Sequence, residues 1–150
     1  MNPLLKKLNF KNQKQLLVLN APNDLTEIIN EFKNEVEIVN DIKAVKSLEF
    51  VLIFVTTFKD LEKFTKQIHK NLSESCLLWY CYPKQSSKKH KSEINRDTGW
   101  KPIGDLNYEP VRLVAINEDW SGLRFKPVAE IKIMNRHFSI SKAGKERIGK

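Results

Sequence analysis

FVLIFVTTFKDLEKFTKQIHKNLSESCLLWYCY, residues 50–82, sets one helical pattern between two wholly apolar runs. The first run, residues 50–55, is apolar at every position and rich in β-branched and aromatic types. A strand with one face in water alternates, whereas a strand with no alternation is covered on both faces, as in the middle of a parallel sheet. Thr57, with Asp60 three residues on, then starts a helix. Phe58, Leu61, Phe64, Ile68 and Leu72 recur at helical spacing and form its expected buried stripe. The second apolar run, residues 76–82, is again a strand covered on both faces. Strand, helix and strand in this order make a βαβ unit, and the rest of the chain extends it.

Upstream, QLLVLNAP, residues 15–22, reads as a buried strand closed by a turn. Asp24 opens DLTEIINEFK with Glu27 three residues on, a capping-box pattern. Leu25, Ile28, Ile29 and Phe32 follow on one helical face. VEIVN, residues 36–40, alternates as a half-exposed strand. Downstream, VRLVAI, residues 111–116, and LRFKPV, residues 123–128, read as two strands joined through the turn Asp119-Trp120-Ser121-Gly122. Residues 98–107 carry a conflict: Trp100, Ile103 and Leu106 fit a helical face, while Gly99, Pro102 and Gly104 oppose a long helix. The order β-α-β-β-α-β, then β-β, predicts an α/β protein: a three-layer sandwich, mostly parallel, with a C-terminal antiparallel hairpin. Residues 1–128 form one domain in this reading, and residues 129–150 a basic tail.

A chain of 150 residues is long enough for one real core without disulfides. The longest wholly apolar run falls far short of the roughly 20 residues that span a bilayer. MNPLLKKLNF lacks the apolar core and small-residue cleavage site of a signal peptide, so the expectation is a cytoplasmic protein with no membrane contact. Cys76 and Cys81, five apart on one strand, point to opposite faces and cannot pair with each other. No Cys/His spacing suggests zinc. The net charge of +8 is uneven: residues 126–150 set seven basic side chains against two glutamates, so the end of the chain carries most of the excess.

Ligands of open parallel sheets bind beyond the carboxyl ends of the strands. After the first strand, a nucleotide-binding fold places glycines so that backbone N–H groups can approach a phosphate or a methionine carboxylate. VLNAPNDL has none, and Pro22 removes a further donor; no cofactor is expected. The second end is the loop after Tyr82. Lys84, Ser86 and Ser87 supply an ammonium and two hydroxyls, and Arg96 a planar bidentate donor. Asn95 and Asp97 orient that arginine or cap a helix. Trp120 and Arg124 lie in a second stretch that either covers the core edge or walls the same pocket. The bland alternative is a solvated basic loop. No G-x-S-x-G elbow frames Ser86 or Ser87, and no base is evident, so no catalytic residue is assigned. His69 reads as a surface residue, His90 as part of the solvated run Lys88-Lys89-His90-Lys91, and His137 belongs to the tail.

LWYCYPKQSSKKHK, INRDTGW, NYEPVRLVAI and NEDWSGLRF, with the opening MNPLLKKLNFKNQKQLLVLNAPNDL, resemble an uncharacterised bacterial family. It is a domain of unknown function found in short stand-alone proteins, and the resemblance covers nearly the whole chain. It implies a trimmed, Rossmann-like, methyltransferase-like fold and no established activity. It would place a site on Lys84, Ser86, Ser87, Asn95, Arg96, Asp97, Trp120 and Arg124. Three functions follow as expectations. The first is a non-catalytic module binding a small anionic ligand or a protein partner at the 84–97 loop. The second is a degenerate S-adenosylmethionine-dependent methyltransferase-like enzyme, and the third is nucleic-acid binding through the basic tail.

Overall fold

A computed structural model describes residues 1–45 and 47–131. Residues 132–150, most of the expected tail and His137 with them, lie outside the described residues.

Six strands form one sheet: β1 (Gln15–Leu19), β2 (Glu37–Val39), β3 (Leu48–Phe54), β4 (Leu72–Pro83), β5 (Tyr108–Ala115) and β6 (Trp120–Pro127). Their order is β2-β1-β3-β4-β6-β5, with β2, β1, β3 and β4 parallel. β6 is antiparallel to both β4 and β5, and slots between them. The expected α/β sandwich with a C-terminal antiparallel hairpin is therefore the observed one. Sheet order reverses between β1 and β3, which makes their carboxyl ends the topological switch point.

The apolar runs do what their lack of alternation requires. Every residue from Cys76 to Pro83 is buried, and alternate side chains feed two cores. Leu78, Tyr80 and Tyr82 join Val51, Ile53, Trp100 and Phe125 on one side. Leu77, Trp79 and Cys81 join Leu16, Val18, Leu52 and Phe54 on the other. Each large apolar side chain so buried contributes on the order of 1.5–3 kcal/mol. The two free cysteines sit in opposite cores, as their spacing demands. Burial pushes the Cys76 thiol up to about 12 and raises that of Cys81 as well, so both behave as small hydrophobes.

The first core is covered by α3 (Phe58–Ile68) and the one-turn α4 (Lys101–Gly104), which resolves the conflict in residues 98–107 as a single turn. Thr57 caps α3 as expected, its Oγ1 accepting from Asp60 N at 3.1 Å. The stripe differs at its ends. Phe58 is 45% exposed, and Leu72 already belongs to β4. The second core is covered by α2 (Thr26–Phe32) and by α1 (Pro3–Lys7), a helix too short to show a periodic stripe. Asn2 Oδ1 caps α1 by accepting from Leu4 N and Leu5 N at 2.9 and 3.2 Å. The capping box at Asp24 does not form: neither the 3-10 turn Asn23–Leu25 nor α2 has a side-chain cap. The β5–β6 turn falls at residues 116–119, three positions before the expected one, so Trp120 opens β6 and is buried. Asn117 Oδ1 fixes that turn by accepting from Asp119 N and Trp120 N at 2.8 and 2.9 Å. Among the described residues no helix is long and apolar enough to cross a membrane.

Candidate anion-binding loop

β1, β3 and β4 run parallel, so Asn20, Val55 and Lys84 leave the sheet along one edge. At the first of these ends the chain uses its own groups. Asn20 adopts a left-handed backbone (φ 62°), which asparagine tolerates better than other residues with a side chain. Its amide Nδ2 donates to the Phe54 carbonyl at 2.8 Å, tying the end of β1 to the end of β3 across the switch point. Pro22 then leads into the 3-10 turn, where Leu25 N donates to Pro22 O at 3.1 Å.

The loop after β4 is braced from several directions. Lys84 N donates to Asp119 O at 2.8 Å, which joins the loop to the β5–β6 turn. Ser87 N closes a tight turn on Lys84 O at 3.0 Å. The Ser87 hydroxyl donates to Asp119 Oδ1 at 2.8 Å and accepts from His90 N at 3.2 Å. His90 Nε2 then meets Asp24 Oδ2 at 2.8 Å, and its ring lies 5.1 Å from that of Trp120. The loop thus reaches past the end of β3 to the end of β1, about 10 Å at ~4.8 Å per strand. Burial pushes the Asp24 carboxyl up, but the hydrogen bond and charge of His90, its own amide and the Trp120 indole outweigh this, and the net shift is downward. Among the described residues the buried Trp120 Nε1–H has no acceptor at ordinary hydrogen-bond geometry, so its effect on Asp24 is that of a nearby dipole.

The second half of the loop is fastened to the core. Glu93 N donates to Thr56 O at 2.9 Å, and Glu93 Oε1 accepts from Phe58 N at 2.9 Å, a second cap for α3. Asn95 Oδ1 accepts from Asp97 N at 2.8 Å and turns the chain. Trp100 Nε1 donates to Asn95 O and Arg96 O at 2.9 and 3.1 Å while its ring packs on Tyr80, Tyr82 and Phe125. Gly99 has φ 103°, and a Cβ there would stand 2.8 Å from the Phe58 ring, so only glycine fits without a shift.

Between these anchors is a concavity of about 360 Å³, whose walls include Lys84, Ser87, His90, Lys91, Ser92 and Asn95 and, among the described residues, no carboxylate. Lys84 and Lys91 have no acidic partner among the described residues, whereas Lys89 stands 3.9 Å from Asp119. The structure therefore brings Lys84, Ser87 and Asn95 together. It leaves Ser86 outside, exposed. Arg96 and Asp97 are exposed in the Asn95 turn, near the Tyr82 phenol. Burial raises that phenol to about 12, with Arg96 pulling it down and Asp97 pushing it up. Trp120 is buried behind His90. Arg124 lies in mid-β6, opposite Trp79, four residues from Trp120 and hence roughly 13 Å along the strand. It does not reach the concavity.

Two residues of this region escaped the sequence reading. By sequence His90 reads as part of a solvated run and Asp24 as a helix cap, yet each is the other's partner. They lie 66 positions apart, so no local periodicity joins them.

No family model and no curated protein matches the sequence. Solved structures do match. A "putative type 11 methyltransferase" from Sulfolobus solfataricus aligns over 90% of this chain and 96% of its own, with a TM-score of 0.52 and 10% identity. A ribosomal protein L11 methylase from Lactobacillus delbrueckii subsp. bulgaricus aligns over 82% of this chain and 74% of its own, with a TM-score of 0.47 and 8% identity. At this identity the likeness shows the fold alone. The chain has a Rossmann-like, methyltransferase-like α/β fold.

Proposed function

We propose that the protein is a non-catalytic Rossmann-like module of the cytoplasm that binds a small anionic ligand in the loop after β4. The observation that carries this reading is the concavity at the carboxyl edge, lined by two lysines, a histidine and side-chain amides and hydroxyls, with no carboxylate among the described residues of its wall. Lys84 and Lys91 attract the anion, and the Asn95 amide supplies a directional contact, whereas the Ser92 hydroxyl already donates to Ile94 O and accepts from Ile94 N. Ser87 braces the wall, since its hydroxyl is already engaged on both sides. Arg96 and Asp97 stand at the rim, and Arg96 closes on the ligand from there. The resemblance to an uncharacterised bacterial family fits this reading and adds no reaction.

Thermal-shift screening against nucleotides and acyl or phosphate metabolites, followed by calorimetry on any hit, tests the proposal. We expect a metabolite bearing phosphate or carboxylate to raise the melting temperature, and Lys84→Ala to weaken its binding roughly tenfold or more, the worth of one charged hydrogen bond. A panel that leaves the melting temperature unchanged would sink the reading.

A degenerate S-adenosylmethionine-dependent enzyme is the second reading, favoured by the sheet order and the methyltransferase-like fold. The residues at the end of β1 do not fit that cofactor. Asn20 stands where a glycine would let a ligand approach, its amide already spent on Phe54 O, and Asp24 is held by His90. No methyl-transfer step is derived. No melting shift with S-adenosylmethionine at millimolar concentration is the expected result. Nucleic-acid binding through residues 129–150 is a third reading, resting on charge alone. Its mark is affinity that falls with salt, at a log–log slope near −0.9 per duplex phosphate contacted.

A further inference from the structure

A second concentration of positive charge stands apart from the loop. In β6, Arg124 is registered against Trp79 of β4 on one side and against Arg112 of β5 on the other. Residues directly opposite in a sheet share a face, so both arginines project on the side of Trp79, above the second core. Like charges placed opposite one another across a strand pair destabilise the sheet. This pair is also partly desolvated. Burial, and next the charge of Arg112, lower the Arg124 pKa from its ordinary value. The Arg124 Nε–H is buried, and among the described residues it has no acceptor. Among the described residues, neither arginine has a carboxylate within ion-pair distance. Trp79, the registered neighbour of Arg124, is fully buried, and its Nε1 donates to Leu8 O at 3.1 Å, so the N-terminal segment reaches as far as β4. Arg112, exposed on the edge strand, forms the outer side.

A buried N–H without an acceptor and two facing guanidiniums without a counter-charge have one common remedy. A neutral acceptor would satisfy the Nε–H and leave the repulsion. An oxyanion satisfies both, and the planar fork of arginine matches carboxylate and phosphate oxygens. We propose that Arg112 and Arg124 form a second anion site, taking a small carboxylate or phosphate against the β5–β6 face. Arg124 supplies the fixed, directional contact and Arg112 closes from the solvent side. The site is independent of the loop, because Arg124 lies roughly 13 Å along β6 from Trp120.

The test is a side-chain 1H–15N NMR titration of the full chain, with the Arg124 Nε–H signal assigned by its loss in Arg124→Lys. Inorganic phosphate and acetate are added in separate arms at constant ionic strength, with sodium chloride as the control. A saturable shift of the Arg124 signal in either arm, absent with chloride, supports the site, and the arm with the lower half-saturation names the class. Arg112→Ala should raise that half-saturation roughly tenfold, and Lys84→Ala should leave it unchanged. No saturable shift with either anion, or a shift equal to that with chloride, overturns the proposal. Loss of the shift in Lys84→Ala overturns it too, since the signal would then be reporting the loop. The wild-type titration decides the question even if a variant folds poorly.

Discussion

The carboxyl ends of β1 and β4 lie on the same edge of one sheet and are finished in opposite ways. At β1 the side chains turn inward: Asn20 caps the carbonyl of Phe54, and Asp24 is taken by His90. At β4 the loop meets its backbone needs from Asp119, Thr56 and Trp100, and the ammonium groups of Lys84 and Lys91 are left to face a concavity. Folds of this kind bind ligands beyond the carboxyl ends of their strands, and a candidate site there needs backbone or charge that is not already committed. By that criterion the switch point is committed and the loop is not. The loop that lines the concavity also sends His90 to fasten the end of β1.

Removing Trp100 attacks the open end hardest. It is 2% exposed, packs on three aromatic rings and holds two loop carbonyls. Trp100→Ala should cost about 3–5 kcal/mol of unfolding free energy by urea titration. A loss under 1 kcal/mol would mean that the loop is not hung from the core. The closed end should yield less. Asn20→Ala leaves the Phe54 carbonyl without its partner and puts alanine in a left-handed conformation, together about 1–3 kcal/mol. Asn20→Gly loses the same hydrogen bond without the strain, so it should be the milder change by roughly 1 kcal/mol. If the two substitutions cost the same, the left-handed backbone is not what selects asparagine there.

The layered fold was legible because residues 50–55 and 76–82 are apolar without alternation, and that pattern has one physical cause, cover on both faces. The Thr57 cap was legible because a cap and the amide it serves are three residues apart. The candidate site was legible only in outline. Lys84, Ser87 and Asn95 share a wall, as a loop leaving a strand at the ligand-binding edge suggests. Arg124 reads as a neighbour of Trp120 in sequence, but a strand carries it away at ~3.3 Å per residue. Asp24 shows the reverse case. Its spacing to Glu27 fits a capping box, yet a histidine brought in by tertiary structure competes for the same carboxylate and wins. Local patterns report local partners, and the clasp is a long-range one.

That clasp gives the smallest effect and the one with a definite sign in pH. The Asp24–His90 contact is partly solvated, with side-chain exposures of 31% and 26%, so a double-mutant cycle with Asp24→Asn and His90→Ala should return only ~0.5–1 kcal/mol at neutral pH. The groups facing the Asp24 carboxyl are His90, its own amide and the Trp120 indole, and together they hold its pKa below the ordinary 3.8. A carboxyl whose folded pKa is depressed adds stability that is fully present above its unfolded value and is lost as the pH falls through the folded one. Wild type should therefore exceed Asp24→Asn in stability near neutrality, and the two should converge as the pH drops below 3.8. Urea titrations at steps from about pH 6 down to about pH 2 measure this. A gap that stays constant over the range would show that the carboxylate charge has no part in fastening the loop to the end of β1. The contrast between the closed and the open ends would then rest on Asn20 alone.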